Sequence, residues 1–184
     1  FQQYNERIRG YDLWKIDINS KKKQKVNCPP SSSAIPPLRW SSCGRYLAYL
    51  NTGQTNELWV YDTREKSKVK ISSTVDTYTN FNWQEGATLW YFQSPLQGIV
   101  HSYQIESKNQ QRYTFFEAAE IKTIDFYKNK VYAILRPPSE KYYQLFSYDL
   151  TTESFEKLTD EPFNVTNFVP INKEEFSYAY NKDG

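Results

Sequence analysis

Histidine is almost missing from this chain: its 184 residues hold one, His101. Catalysis by serine, histidine and an acid needs a nucleophile, a base within hydrogen-bond reach and an orienting carboxylate. The sequence has no GxSxG elbow, and His101 follows the connection SPLQGIV, where a surface residue is expected. No catalytic residue is assigned, and the chain is read as no enzyme. Glycine is scarce as well, at 6 residues, so a backbone cradle for phosphates is hard to build. With no EF-hand loop, no HExxH and no Gly-rich phosphate loop, neither a metal nor a cofactor is assigned. The 2 cysteines, Cys28 and Cys43, are too few for a disulfide framework and lack zinc or redox spacing. They are either one bond in an oxidising compartment or two thiols packed as small hydrophobes. No apolar run approaches the roughly 18 residues that cross a bilayer, so no membrane insertion is expected. The opening FQQYNERIRG lacks a charged-then-apolar signal pattern, and methionine is absent. The chain thus reads as a mature product, a trimmed chain or part of something longer. With 23 Lys+Arg against 21 Asp+Glu, the net charge of +2 gives no ground for a nucleic-acid partner.

What is plentiful is aromatic: 16 Tyr, 11 Phe and 5 Trp. Such residues suit pleated, half-buried surfaces, which points to all-β structure. They also recur. LWKID, LWVYD, SYQIE and LFSYD close on Asp17, Asp62, Glu106 and Asp149, with spacings of 45, 44 and 43 residues. A second series, Trp40, Trp83, Phe126 and Phe168, steps by 43, 43 and 42. Each unit reads as four short strands: an aromatic-ended strand, a tight turn, an apolar strand such as LAYL or LWYF, the acid-ended strand, a charged hairpin and an edge strand. A four-stranded unit of about 43 residues is the period of a β-propeller blade.

RWSSCGRYLAYL followed by ELWVYD, and YQLFSYDLTTESFEKLTDEP, are similar to the repeat of TolB-type propellers, which are related to WD repeats and to the propellers of prolyl-oligopeptidase-like enzymes. The pattern departs at Ser42-Cys43, where that repeat usually has Pro-Asp, and the third and fourth units lose the turn motif further. The resemblance implies one all-β propeller domain or propeller fragment over 1–184. Its repeats are 1–28 (a half blade), 37–73, 79–116, 122–160 and 164–184 (a half blade). FQQY enters late in a second strand, and FSYAY leaves after one, so the ends either pair to close a four-bladed ring or belong to a larger propeller. The slice is the favoured reading; its open edges invite self-association. The resemblance also implies a periplasmic or extracellular setting and a non-catalytic scaffold binding another protein through inter-blade loops. Two other roles are open: an accessory propeller whose hydrolase domain lies elsewhere, and a carbohydrate-binding propeller with aromatic platforms in a polar groove.

Candidate contacts follow from the repeat. Trp14 and Trp59, like Trp40 and Trp83, are equivalent by repeat and are expected to pack between blades. Tyr78, Phe81, Phe115, Phe116 and Phe163 fall outside the strand pattern and are the candidate partner contacts, with inter-blade packing as their competing role. A basic rim is expected from consecutive hairpins: Lys21, Lys22, Lys23 and Lys25, then Arg64, Lys66, Lys68 and Lys70, then Lys108 and Arg112. It either attracts an anionic surface or guards sheet edges against strand addition. NCPPSSSAIPPLRW reads as a surface crossover or, as the less favoured alternative, a protruding partner loop, and Asn164-Val165-Thr166 is a formal glycosylation sequon.

Overall fold

The computed structural model describes residues 2–5, 10–31, 37–51, 56–73, 81–84, 87–92, 98–114, 116, 118–171 and 175–182. Its regular structure is all strand: β1 (Gln2–Asn5), β2 (Gly10–Ile16), β3 (Lys23–Ser31), β4 (Leu38–Trp40), β5 (Tyr46–Asn51), β6 (Glu57–Asp62), β7 (Ser67–Ser73), β8 (Phe81–Gln84) and β9 (Thr88–Phe92). These are followed by β10 (Val100–Gln104), β11 (Asn109–Tyr113), β12 (Glu120–Tyr127), β13 (Lys130–Arg136), β14 (Gln144–Asp149), β15 (Ser154–Lys157), β16 (Asn164–Pro170) and β17 (Phe176–Asn181). Neighbours in the chain pair antiparallel, giving a three-stranded sheet β1–β3, four-stranded sheets β4–β7, β8–β11 and β12–β15, and a two-stranded sheet β16–β17. These are the up-and-down blades that the period implies. The N-terminal sheet holds three strands where half a blade was expected, because Gln2–Asn5 pairs with Gly10–Leu13 and β3 extends to Ser31, taking in the start of the proline-rich segment.

The chain divides into two compact units, Phe1–Thr77 and Tyr78–Gly184. In the first, Val26 of β3 joins Leu47, Tyr49 and Tyr61 in a buried cluster, with Leu38 and Trp59 against it. In the second, Trp90, Phe92 and Val100 of one sheet bury against Ile121, Ile124, Val131, Ala133, Leu135 and Phe146 of the next. Tyr132, Ile134 and Leu145 then meet Val165 and Phe168 of the two-stranded sheet. Strand β13 is buried from Val131 to Leu135 because both its faces meet a neighbouring sheet. This explains why VYAIL shows no polar–apolar alternation.

The period of the opening aromatics has a hydrogen-bonded basis. Asn82, Asp125 and Asn167 each accept, on a side-chain oxygen, the backbone N–H of the aromatic that follows: Trp83, Phe126 and Phe168. Asn82 Nδ2 also donates to Asp125 Oδ1 at 2.5 Å, joining β8 to β12. Trp83 is buried as expected, whereas Trp40 stands 40% exposed at the turn end of β4, past the cluster that Leu38 joins. Gly44, at φ +68°, takes the left-handed position of the following turn, and its N–H bonds the Ser41 carbonyl. Cys43 in that turn is an exposed free thiol rather than a packed one, 3.3 Å from the Ser41 hydroxyl. The Cys28 side chain is outside those described.

Candidate functional site

The hairpins joining the last two strands of a sheet, the third and fourth of each four-stranded blade, are built alike. Asp17, Asp62 and Asp149 each use a carboxylate oxygen to accept backbone N–H groups two and three residues on. In the third hairpin the group doing this is Gln104, through Glu106 N and Ser107 N, which corrects the assignment of Glu106 to the series. Lys21, Lys66, Lys108 and Glu153 then occupy the left-handed position of each turn, with φ of 57°, 52°, 55° and 55°. The recurrent acids are therefore turn formers. Hydrogen bonds from Ser20 hold the Asp17 carboxyl below its ordinary pKa, and those from Thr151 and Thr152 do so for Asp149. Burial pushes Asp62 up, but its bonds from Arg45 and the N–H groups of Glu65 and Arg64 outweigh that and leave it lowered.

The same register places one cation of each edge strand opposite an aromatic ring. Lys25 faces Trp14, Lys70 faces Trp59, Arg112 faces His101 and Lys157 faces Phe146. Three of these cations have acid partners: Lys25 with Asp12 at 2.8 Å, Lys70 with Glu57 at 3.1 Å, and Lys157 with Glu140 at 2.8 Å and Asp160 at 2.6 Å. Lys68 lies over the Trp59 ring at 5.6 Å. Lys21, Lys22, Lys23, Lys66 and Lys68 are all exposed. Of the rim cations, Lys25 and Lys70 are thus paired with an acid of their own sheet, in exposed ion pairs of small individual weight.

Of the aromatics singled out as partner contacts, Tyr78 and Phe115 lie outside the described residues. Phe81 is 1% exposed and Phe116 is 2% exposed, so packing within the unit takes both. Phe81 stands opposite Tyr91 in the sheet. Phe116 lies in the cluster between sheets, with its carbonyl accepting Ala119 N–H. A β-carbon on Gly98 would come within 1.7 Å of that carbonyl oxygen, so the backbone passes Phe116 where no side chain fits.

Phe163 is half-buried and lies in a polar frame that sequence reasoning did not single out. Gln144 at the start of β14 is buried and binds the Leu158–Phe163 connection on both sides of its amide. Its Nε2 donates to the Glu161 carbonyl at 2.7 Å and the Phe163 carbonyl at 3.3 Å. Its Oε1 accepts from Thr159 Oγ1 at 2.8 Å and Glu161 N at 3.0 Å. The Phe163 ring stacks on Tyr180 at 5.9 Å and 10°, and Tyr178 OH donates to Glu161 Oε1. Tyr178 and Tyr180 are 38% and 41% exposed. The signal for this site was present in the repeat: Gln144 holds the position of Asp12 and Glu57, two residues before the aromatic of the same strand.

His101, expected at the surface, is 8% exposed and stacks on Tyr91 at 5.2 Å. Its place in β10 is the one that Trp14, Trp59 and Phe146 hold in the other sheets, which explains its burial. Its Nδ1 is buried with no hydrogen-bond partner among the described residues. Burial first, then the Arg112 charge, pushes its pKa below the ordinary 6.5. The unfolded chain therefore takes up a proton at higher pH than the folded one, so stability is full above about 6.5 and falls as pH drops toward the folded value. Urea midpoints are expected to decline from pH 7 to pH 5, and to stay level over that window in His101→Phe. An equal decline in the variant would assign the pH dependence elsewhere.

No protein-family model and no curated protein sequence matches the chain. Solved structures do. TolB from Acinetobacter baumannii matches with 14% identity and a TM-score of 0.61, over 89% of this chain and 42% of TolB. A prolyl endopeptidase matches with 14% identity and a TM-score of 0.71, over 100% of this chain and 30% of its own. The WD40 repeats of RRP9 match with 12% identity and a TM-score of 0.54, over 79% of this chain and 44% of theirs. The fold is that of β-propeller domains. The chain spans less than half the length of each of these three proteins, whose roles differ, and fold alone carries no role across.

Proposed function

We propose that this chain is a non-catalytic binding module that takes a protein partner on the connecting loops beside Phe163. The observation behind it is the Gln144-clamped connection, which holds Phe163, Tyr178 and Tyr180 as a partly exposed aromatic row in a fixed frame. Rigid, partly exposed aromatics are the side chains that anchor protein interfaces. Glu161, hydrogen-bonded to Tyr178, and Lys182, 5.9 Å over the Tyr180 ring, border the row, so the fitting partner segment carries an apolar anchor flanked by polar or charged side chains. A displayed peptide library selected on the chain should enrich that pattern, and Phe163→Ala with Tyr180→Ala should abolish binding while the protein still unfolds cooperatively, its thermal midpoint lowered by no more than the loss of one aromatic stack. No enrichment, or equal binding by the double variant, would refute the reading.

A second reading, an accessory propeller of a larger hydrolase, is favoured by the match of the whole chain to 30% of a prolyl endopeptidase. A GxSxG elbow in a continuation of the same gene would support it.

A further inference from the structure

One face of the β8–β11 sheet changes character along its length. Phe92, Val100 and Tyr113 stand side by side in one row. The next row is Trp90, Ser102 and Gln111, and the last is Thr88, Gln104 and Asn109. A sheet face packed entirely against its neighbour would stay apolar to the end. Here the polar rows and Leu150 of the next sheet's hairpin enclose an open cleft of about 360 Å³, a volume within the range of small-molecule sites.

We propose that this cleft binds a neutral, hydroxyl-rich ligand, a saccharide by chemistry. Among the described residues no charged side chain lines it, so its described walls recognise hydrogen-bonding groups rather than charge. Three amides in it are oriented by internal bonds to their oxygens. Gln84 Oε1 accepts from Trp90 Nε1 at 2.9 Å, and Gln104 Oε1 accepts from Glu106 N at 2.7 Å. Gln111 Oε1 accepts from Tyr113 OH at 2.5 Å. Each amide thus keeps its NH₂ group as the donor available to a ligand oxygen, while the Ser102 hydroxyl, which donates to Tyr113 OH at 3.5 Å, can accept and that of Thr88 can donate or accept. The Tyr113 ring, stacked on Trp90 at 4.8 Å and 25°, supplies a fixed apolar face for the C–H side of a sugar ring. A few oriented polar groups beside an aromatic wall are what a small polar ligand needs. This site does not depend on the Phe163 platform, so either proposal stands if the other fails.

The test is titration of the ¹⁵N-labelled chain with maltose and cellobiose as neutral probes, and with glucuronic acid and glucosamine as charged ones. A neutral disaccharide is expected to give saturable shifts in the side-chain NH₂ signals of Gln84, Gln104 and Gln111. Gln111→Ala, on an exposed edge strand, should weaken binding by up to about tenfold, one hydrogen bond's worth. Tyr113→Ala should weaken it further. Absence of shifts with both neutral probes, tighter binding of a charged sugar, or undiminished affinity in Gln111→Ala would overturn the proposal; that variant decides alone if Tyr113→Ala does not fold. Binding to a glycosylated carrier protein but not to its deglycosylated form would assign the sugar to a glycoprotein, and binding of free disaccharide alone to a soluble saccharide.

Discussion

Trp90→Ala is expected to destabilise the Tyr78–Gly184 unit by about 3–5 kcal/mol, the range for emptying a large aromatic from a packed core. Trp90 is 2% exposed in the middle of β9. Its ring stacks on Tyr113 of its own sheet at 4.8 Å and lies 4.6 Å from Phe126 of the next. The void would open at the junction of two sheets, where neither can close it without shifting against the other. Trp90→Phe separates the contributions: it keeps an aromatic ring but removes the 2.9 Å bond to Gln84, and should cost about 1–2 kcal/mol. Urea unfolding followed by far-UV circular dichroism, with amide exchange read in β9 and β12, measures both. A loss below about 1 kcal/mol for the alanine variant would mean that the two sheets are not held together by this cluster.

Gln144→Leu comes next in expected size, at about 2–4 kcal/mol. The four bonds of this amide satisfy both carbonyls and the N–H that the connection turns inward, and an apolar replacement leaves those groups unpaired beside a buried strand end. For a unit spanning Tyr78–Gly184 the thermal midpoint should fall by roughly 4 °C or slightly more per kcal/mol. Gln144→Glu discriminates further. Its second oxygen would face the carbonyls of Glu161 and Phe163, which repel a carboxylate and accept from a protonated acid. Its folded pKa would be raised, so stability should recover as pH falls below about 4.3, the unfolded value, and be lost as pH rises through the window above it. Equal stability of Gln144→Glu and the parent at pH 7 would show that the connection is not held as described. Both variants should also weaken any binding at Phe163, because its frame is lost.

The two refer to opposite limits of what the repeat reveals. Trp90 lies in LWYF, an apolar run whose strand character follows from length and aromatic content, and its burial was legible. Gln144 precedes LFSYD at the repeat position of Asp12 and Glu57, but its role depends on a connection that returns to it from 17 residues away in sequence. Glu106 shows the same limit in the other direction. By spacing it continued the series of acids, but hairpin register puts Gln104 at the capping position, and an amide oxygen caps the turn as well as a carboxylate does.

By itself the sequence determined the strands, the blade period, the turn-forming Asp17, Asp62 and Asp149 and the propeller-type architecture. All of these rest on local alternation, turn chemistry and self-similarity over about 43 residues. Tertiary structure decided which polar and aromatic groups face solvent. It buried Phe81, Phe116 and His101, turned the Gln144 amide into a loop clamp, and left an amide-lined cleft beside Tyr113. The physical reason is that exposure is set by the face of the neighbouring sheet, which is a property of two repeats packed together and is written in neither one alone.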